Sequence, residues 1–508
     1  MLARFVSAAL VGIDAHLVDV EVDVTTGLPS FSLVGLPDAS VRESRDRVRS
    51  AIRNSGFEFP LARITVNLSP ADLRKAGTAF DVPIALGILA AAGSLPVRTG
   101  ARYVYVGELS LDGAVRDVRG SLAIALAAAR AGYAGVVVPA SNAAEAALIE
   151  SVRVLSCGTF DDVVHSAASP DTARACGPTR PSGAERKSAL DLGDVRGQVM
   201  ARRALEIAAA GRHHLLFVGP PGVGKSMLAR RLPGILPPWT FEEAIEATSI
   251  HSVAGLLPRA TPLLEERPFR APHHTASAQA LVGGGGQPKP GEITLAHHGV
   301  LFLDELPEFD RRVLEVLRQP LEEGQITIAR AGHSARFPAR FQLVAAMNPC
   351  PCGFRGSARR RCACTPVQVA AYDAKVSGPL RDRIDLMVGL PDLAAADLDG
   401  PPRGSDECSA AVGLRVAAAR RCQAQRESTT GIRVNADLDG RALARVCTLD
   451  PSSASLLRVA AERGALTGRG RTRVLRVART IADLSGAAEV DRAHVLEALQ
   501  FRGGEPTA

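Results

Sequence analysis

The chain is predicted to be α/β, on three features of its sequence. The apolar run Leu215-Leu216-Phe217-Val218 passes directly into a glycine-rich segment, Gly219-Pro220-Pro221-Gly222-Val223-Gly224-Lys225-Ser226. A second apolar run, Val300-Leu301-Phe302-Leu303, ends in Asp304 and Glu305. Residues 411–502 then carry helical periodicity with no strand pattern. A strand that is apolar on both faces belongs inside a parallel sheet covered by helices. Such sheets place their ligands at the carboxyl ends of the strands.

Residues 219–226 fit G-x-x-x-x-G-K-[ST] in its expected setting, a buried strand turning through glycines into a helix. The glycines let backbone N–H groups close around phosphate oxygens, Lys225 supplies a charge for the β- and γ-phosphates, and the Ser226 hydroxyl suits Mg²⁺. The motif alone also arises by chance, so its weight comes from the polar groups that end two later apolar runs. Asp304 would hold Mg²⁺ directly or through water, and Glu305 would orient and polarise the attacking water. A third run, 341–347, ends in Asn348, an amide suited to hydrogen-bond the γ-phosphate or that water. Binding and hydrolysis of ATP with Mg²⁺ are therefore expected.

At 508 residues the chain has room for roughly two to four domains. Its richest apolar stretch, 82–97, is broken by Pro83, Gly87, Gly93, Ser94 and Pro96, short of the ~18–20 residues a bilayer span needs. Phe5 to Ile13 faintly mimics a signal peptide but runs into the period-2 alternation of 18–24, which reads as a strand. A cytoplasmic location without membrane contact is expected. Residues 1–170 hold 15 Lys/Arg against 17 Asp/Glu, and the remainder 45 against 36, so the basic excess lies on the nucleotide half. That suits a polyanionic partner. Of the 60 basic residues 55 are Arg, so a genome's base composition explains the excess equally well.

Three blocks emerge. Residues 1–165 alternate short strands (18–24, 63–68, 103–106, 135–138) with Ala-rich helical stretches (39–54, 82–92, 121–131). Residues 166–190 have linker composition. An α/β block spans 191–392, and the carboxy-terminal block 393–508 opens with a Pro/Gly/Asp-rich stretch, 393–410, before its helical pattern. Gly219 and Asp304 stand 85 residues apart, and the excess length contains Gly283-Gly-Gly-Gly286 and Pro288-Lys-Pro290-Gly291, a loop or hairpin inserted into the second helix. The alternating stretch 324–337, with a central Gly, reads as another hairpin. Two projecting hairpins would let a ring motor grip a polymer, with Arg330, His333 and Arg336 as candidate contacts.

Cys350-Pro-Cys352 and Cys362-Ala-Cys364 are two C-x-C pairs, able to close a tetrahedral S₄ site around Zn²⁺. Four reduced thiols in a loop, or a redox pair, remain alternatives. The His-His pairs at 213–214, 273–274 and 297–298 lack the spacing of metal ligands and read as structural or solvent-facing.

Asn348 occupies the place of the first sensor in AAA+ ATPases. Ser377-Gly-Pro-Leu-Arg381-Asp-Arg383-Ile-Asp385 resembles the arginine-finger segment of that superfamily, with Arg383 the first candidate and Arg381 the second. Arg469, opening the basic helix 467–479, matches the second sensor. A solvated basic face is the alternative for each of these arginines. More specifically, Arg267-Pro-Phe-Arg-Ala-Pro-His-His-Thr275, Gly283-Gly-Gly-Gly286, Pro290-Gly-Glu-Ile293, Leu295-Ala-His-His-Gly-Val-Leu-Phe-Leu-Asp-Glu-Leu-Pro-Glu-Phe309 and Met347-Asn-Pro-Cys-Pro-Cys-Gly353 resemble the magnesium-chelatase-like AAA+ ATPases of the YifB/ComM type over nearly the whole chain. The resemblance implies an AAA+ P-loop core with a C-terminal helical lid, a homohexameric ring, and action on branched or single-stranded DNA, including helicase or branch migration in recombination or natural transformation. The amino-terminal block resembles the α+β Lon protease domain (S5-type fold). There Ala79 stands for the nucleophilic serine and Ala123 for the lysine, so those two positions supply neither the hydroxyl nor the base. Ser69, Ser121, Thr78 and Lys75 lie nearby in sequence as a conceivable displaced pair. Three readings stay open: a DNA-translocating motor, a chelatase- or chaperone-type protein-remodelling ATPase, and an active Lon-like protease.

Overall fold

A computed structural model describes the chain except residues 97–102, 178–189, 259–260, 286–287, 331–332, 394–406, 463–465 and 503–508. In the amino-terminal block, β1 (Leu2–Val11) and β2 (Asp14–Thr25) form an antiparallel hairpin turned at Gly12, whose φ is 64°. The alternation read at 18–24 is the cause: Val18, Val20 and Val22 are fully buried on one face, while Asp19, Glu21 and Asp23 take the other. β3 (Ser30–Val34) and β4 (Arg63–Ser69) extend the sheet beyond β2. β5 (Tyr103–Tyr105), β8 (Gly135–Pro139), β9 (Arg153–Cys157) and β10 (Ala175–Cys176) extend it beyond β1, to the order β10-β9-β8-β5-β1-β2-β4-β3. A small hairpin, β6 (Glu108–Leu109) with β7 (Val115–Arg116), stands apart. The helix Asp81–Ala91 is buried on every side, and Gly87 lets it close on the sheet: a Cβ there would lie 2.4 Å from Val22 Cγ2.

Two expectations shift. Residues 5–13, which resembled a leader, belong to β1 and its turn, because their partner β2 buries the same face. The stretch 166–190 is not linker throughout. It contains the end of the helix Phe160–Ala168 and β10, which pairs antiparallel with β9. Residues 178–189 of that stretch lie outside the described residues.

The second block holds a parallel sheet in the order β12-β15-β18-β11-β19. Its members are β11 (Leu215–Val218), β12 (Phe269–Arg270), β15 (Val300–Leu303), β18 (Gln342–Met347) and β19 (Leu386–Gly389). Alternate side chains feed two cores. Leu215, Phe217, Phe302, Val344 and Ala346 face the helix Val199–Gly211 and the carboxy-terminal helices, whereas Leu216, Leu301, Leu303, Leu343 and Ala345 face 306–317 and 372–384. Two hairpins leave this sheet, β13 (Gly283–Gly284) with β14 (Lys289–Pro290), and β16 (Gln325–Arg330) with β17 (His333–Pro338). Both stand where the sequence places them.

The carboxy-terminal block is helical among its described residues, with long helices Ser409–Thr430 and Gly468–Leu484. Val412, Val416, Val477 and Ile481 share one apolar core with the helix Val199–Gly211. A buried polar network fastens it further: His213 Nε2 and Thr480 Oγ1 are 2.7 Å apart, and Arg479, 1% exposed, pairs with Asp483 at 2.9 Å.

Among the described residues, the amino-terminal block touches the second at a helical seam and at the β1–β2 turn. Leu122 and Leu148 pack against Ala244, Ile245 and Leu263, with Gly120 N–H donating to Ser252 Oγ at 3.0 Å. The β1–β2 turn rests on the β16–β17 hairpin, where a Cβ on Gly12 would meet Ala335 Cβ at 3.3 Å.

Candidate nucleotide-binding site

Three neighbouring strands, β15, β18 and β11, end side by side, and each delivers polar groups at its carboxyl end. From β11 the chain turns through Gly222 (φ 84°) and Gly224 (φ 93°) into the helix Lys225–Ala229. Those angles favour glycine, and their purpose is a concave row of backbone N–H groups. Lys225 Nζ donates to Gly219 O at 2.6 Å, Pro220 O at 2.8 Å and Asn348 Oδ1 at 3.0 Å. Asn348 follows β18, so the expected first sensor and the P-loop lysine are brought together. Ser226 Oγ donates to Asp304 Oδ2 at 2.5 Å, joining the hydroxyl and carboxylate expected to share Mg²⁺. Burial pushes the Lys225 ammonium down to about 8, against the pull of Asp304 and Glu305.

Glu305 sits just past Asp304 in left-handed backbone (φ 52°), an unusual conformation for a residue with a Cβ. Its carboxylate is 55% exposed, and Oε2 lies 3.2 Å from Nδ1 of His274. The sequence reads His274 as structural or solvent-facing, with no role beside the acidic pair. The signal was topological: it follows β12, which flanks β15, so it had to end beside the acidic pair. Gln198 was also missed. It sits at φ 50° and donates from Nε2 to Pro391 O at 3.0 Å, tying the segment before the helix Val199–Gly211 to the chain after β19.

The residues fit Mg-ATP. A glycine cradle, a lysine, a hydroxyl–carboxylate pair and a second, half-exposed carboxylate converge on one strand edge, with Gly219, Pro220, Pro221, Gly222, Val223 and Gly224 forming the loop.

The cysteines converge too. Sγ–Sγ distances are 3.4 Å (Cys350–Cys352), 3.6 Å (Cys350–Cys362) and 3.5 Å (Cys352–Cys362), and Cys364 Sγ accepts the Cys352 N–H at 3.4 Å. Four thiolates around a zinc-sized ion at ~2.3 Å stand about 3.8 Å apart, so the cluster could hold a metal with little movement. The knuckle abuts the P-loop: a Cβ on Gly353 would lie 2.8 Å from Pro221 Cδ.

Glu246, His297 and His298 also cluster, with Glu246 Oε2 3.1 Å and 2.8 Å from the two Nε2 atoms. His297 Nδ1 accepts the Arg340 N–H at 3.0 Å, so the ring proton resides on Nε2 and points at Glu246. A metal-binding imidazole has the opposite arrangement, donating from its other nitrogen. The trio is joined by hydrogen-bond contacts between Glu246 and both rings.

Among the described residues, none of the arginine candidates hydrogen-bonds the chain's own P-loop. Arg383 is 7% exposed; its Nη1 donates to Pro379 O at 2.6 Å and its Nη2 to Glu322. Arg381 is more open and donates to Asp373 O at 2.8 Å. Arg469 is exposed in the first turn of the helix Gly468–Leu484. Arg336 is exposed on β17, whereas the side chains of Arg330 and His333 lie outside the described residues. In the amino-terminal block Lys75 is fully buried and donates to Pro70 O, while Ser121 Oγ donates to Glu145 Oε2 at 2.7 Å. Among the described residues no hydrogen bond joins Lys75 to Ser69, Thr78 or Ser121. No helix among them is long and apolar enough to cross a membrane.

Family models described as magnesium chelatase, subunit ChlI, match residues 191–398; the subunit ChlI model of Mg-chelatase matches 20–142, and its C-terminal model 406–502. The chain is 47% identical to an uncharacterized protein of Mycobacterium tuberculosis, over 99% of this chain and 98% of that one. It is 46% identical to the competence protein ComM of Haemophilus influenzae, over 99% and 97%. It is 44% identical to the uncharacterized protein YifB of Escherichia coli, over 97% and 96%. With its parallel-sheet core and three matched segments, the chain belongs to the magnesium-chelatase-like AAA+ proteins of the YifB/ComM family.

Proposed function

We infer that the protein is a Mg-ATP-driven ring motor acting on branched or single-stranded DNA, in helicase or branch-migration steps of recombination or transformation. The observation that carries the motor is the convergence of Lys225, Ser226, Asn348, Asp304 and Glu305 on one sheet edge. The DNA assignment rests on the likeness to a competence protein and on the basic excess of residues 171–508. The backbone N–H groups of 219–225 and the Lys225 ammonium bind the phosphates, while Ser226 and Asp304 hold Mg²⁺. Bound Mg²⁺ supplies charge neutralisation at the phosphates. Glu305 orients and polarises water, and Asn348 fixes the lysine and the far side of the site. Arg383 or Arg381 from a neighbouring subunit, and Arg469 as second sensor, complete a pocket shared between protomers. A homohexamer is the assembly that allows this, with the carboxy-terminal helices as the lid.

Structural Zn²⁺ in the cysteine cluster is part of this reading, supported by four thiol sulfurs within 4.8 Å of one another. The amino-terminal block is a Lon-like fold without protease chemistry, because Lys75 is spent on a backbone carbonyl. The second reading, a chelatase- or chaperone-type remodelling ATPase, shares the whole motor and differs only in substrate.

The test is ATP turnover with and without branched DNA over a range of salt. Stimulation that fades steeply with salt supports the DNA reading. Turnover indifferent to DNA but raised by a protein substrate replaces it with the second.

A further inference from the structure

A cavity of about 610 Å³ lies between the ATPase sheet and the carboxy-terminal helices, at the edge opposite the P-loop. Its walls include Arg212, Gly299 and Gln342, which precede or open β11, β15 and β18, whereas the P-loop and Asp304 follow β11 and β15. Four-residue strands separate the two edges by ~13 Å.

The lining is strongly cationic. Arg212 pairs with Asp437 at 2.5 Å and Arg267 with Glu243 at 2.8 Å, which uses both carboxylates of the wall. Arg340, Arg420, Arg421 and Arg433 remain. Arg433 reaches Glu427 only at 3.9 Å, an exposed contact of little weight. Among the described residues no carboxylate ion-pairs with Arg340, Arg420 or Arg421. Two buried polar atoms of the wall also lack a partner there: Arg420 Nε, a donor, and Gln342 Oε1, an acceptor. Buried groups of this kind ordinarily have partners. Leu236, Leu414 and Val434 supply an apolar side.

We propose that this cavity is a second nucleotide site, taking a nucleoside polyphosphate with its phosphates on Arg420, Arg421, Arg433 and Arg340. Inorganic phosphate would satisfy the arginines alone. Gln342 Oε1 needs a hydrogen-bond donor, which a ribose hydroxyl or a base amino group provides, and the apolar side accepts a ring. Burial, with Arg212 and Arg267 adding to it, pulls the Arg420 guanidinium down to about 9, a strain that an anion relieves. Because the helix Ser409–Thr430 forms one wall and the sheet the other, the ligand ties the helical block to the core. The site does not depend on the DNA reading above.

The test uses the full chain with Lys225→Ala, which removes the P-loop ammonium. Calorimetric titration with ADP is expected to give one site per chain, and Arg420→Gln with Arg421→Gln on that background to weaken it at least about tenfold. Tripolyphosphate is expected to bind more weakly than ADP. Arg421→Gln alone, on an exposed side chain, gives a severalfold loss and covers the case in which the buried change unfolds the protein. Absence of ADP binding in Lys225→Ala overturns the proposal, as does unchanged affinity in the arginine variants. Tripolyphosphate binding as tightly as ADP overturns the nucleoside part. A single-stranded oligonucleotide that binds where ADP does not, and loses binding with Arg421→Gln, assigns the surface to nucleic acid and overturns it as well.

Discussion

His274 Nδ1 stands 3.2 Å from Glu305 Oε2, so the carboxylate best placed to act on water is already engaged by an imidazole. The ring stands against one of its two oxygens and leaves only the other open to water. His274→Ala is expected to raise basal ATP turnover severalfold while leaving KM for ATP unchanged. Steady-state kinetics near neutral pH decide this; a kcat equal to the parent's would show the contact to be idle.

Glu305→Gln keeps the size and polarity of the side chain and removes its charge. ATP binding at the P-loop should hold within about twofold, and hydrolysis should fall by ~10²–10⁴. Lys225→Ala should abolish turnover, since the ammonium has no substitute in the cradle. Single-turnover assays separate the two, and a Glu305→Gln protein hydrolysing at the parental rate would refute the assignment.

Lys225 also sets a pH dependence. Its folded value of about 8 lies below the ordinary 10.5, so the ligand-free site sheds its charge as pH rises through 8. ATP affinity should therefore weaken above pH 8, and binding there should take up a proton, because phosphate restores the ammonium. Folding stability has the opposite sign: between about 8 and 10.5 the unfolded chain holds more protons, so stability rises with pH over that window. Titration in buffers of different ionisation enthalpy counts the proton. No uptake at pH 9 would contradict the assignment.

The cysteine knuckle touches the P-loop through Gly353 and Pro221. Protein purified with its thiols reduced should contain about one Zn²⁺ per chain by elemental analysis. Cys362→Ser or chelation should remove it and raise KM for ATP, with kcat less affected. Metal-free parent protein with an unchanged KM would rule out that coupling.

Arg383 and Arg381 should separate by their environments. Arg383→Ala leaves Glu322 without its partner and empties a buried position, so its melting temperature should drop. Arg381→Ala should keep the parental melting temperature yet lose most turnover, if it is the side chain that reaches a neighbour. Calorimetry beside ATPase assays on both variants makes the distinction; equal turnover in Arg381→Ala returns the role to Arg383.

The parts of the site legible in the sequence are those that local chemistry compels. A glycine cradle and an acid pair after an apolar run each need only a few contiguous residues, and Asn348 is implied by a strand end in the same sheet. The cysteines declared themselves by number and spacing. What stayed hidden depends on distant pairings. Glu322 meets Arg383 across 61 positions, and neither side chain is unusual by itself. His274 looked structural because its relation to Glu305 exists only once β12 lies beside β15. β10 is two residues long, too short for any periodicity, and forms because β9 offers an open edge.

The seam formed by Leu122 and Leu148 against Ala244, Ile245 and Leu263 bears on how the protein can be divided in the laboratory. Cutting the chain between residues 178 and 189 would lay bare greasy faces on both fragments, together with the β17 surface under Gly12. Each piece expressed by itself should therefore clump, and the two should recover solubility when produced together.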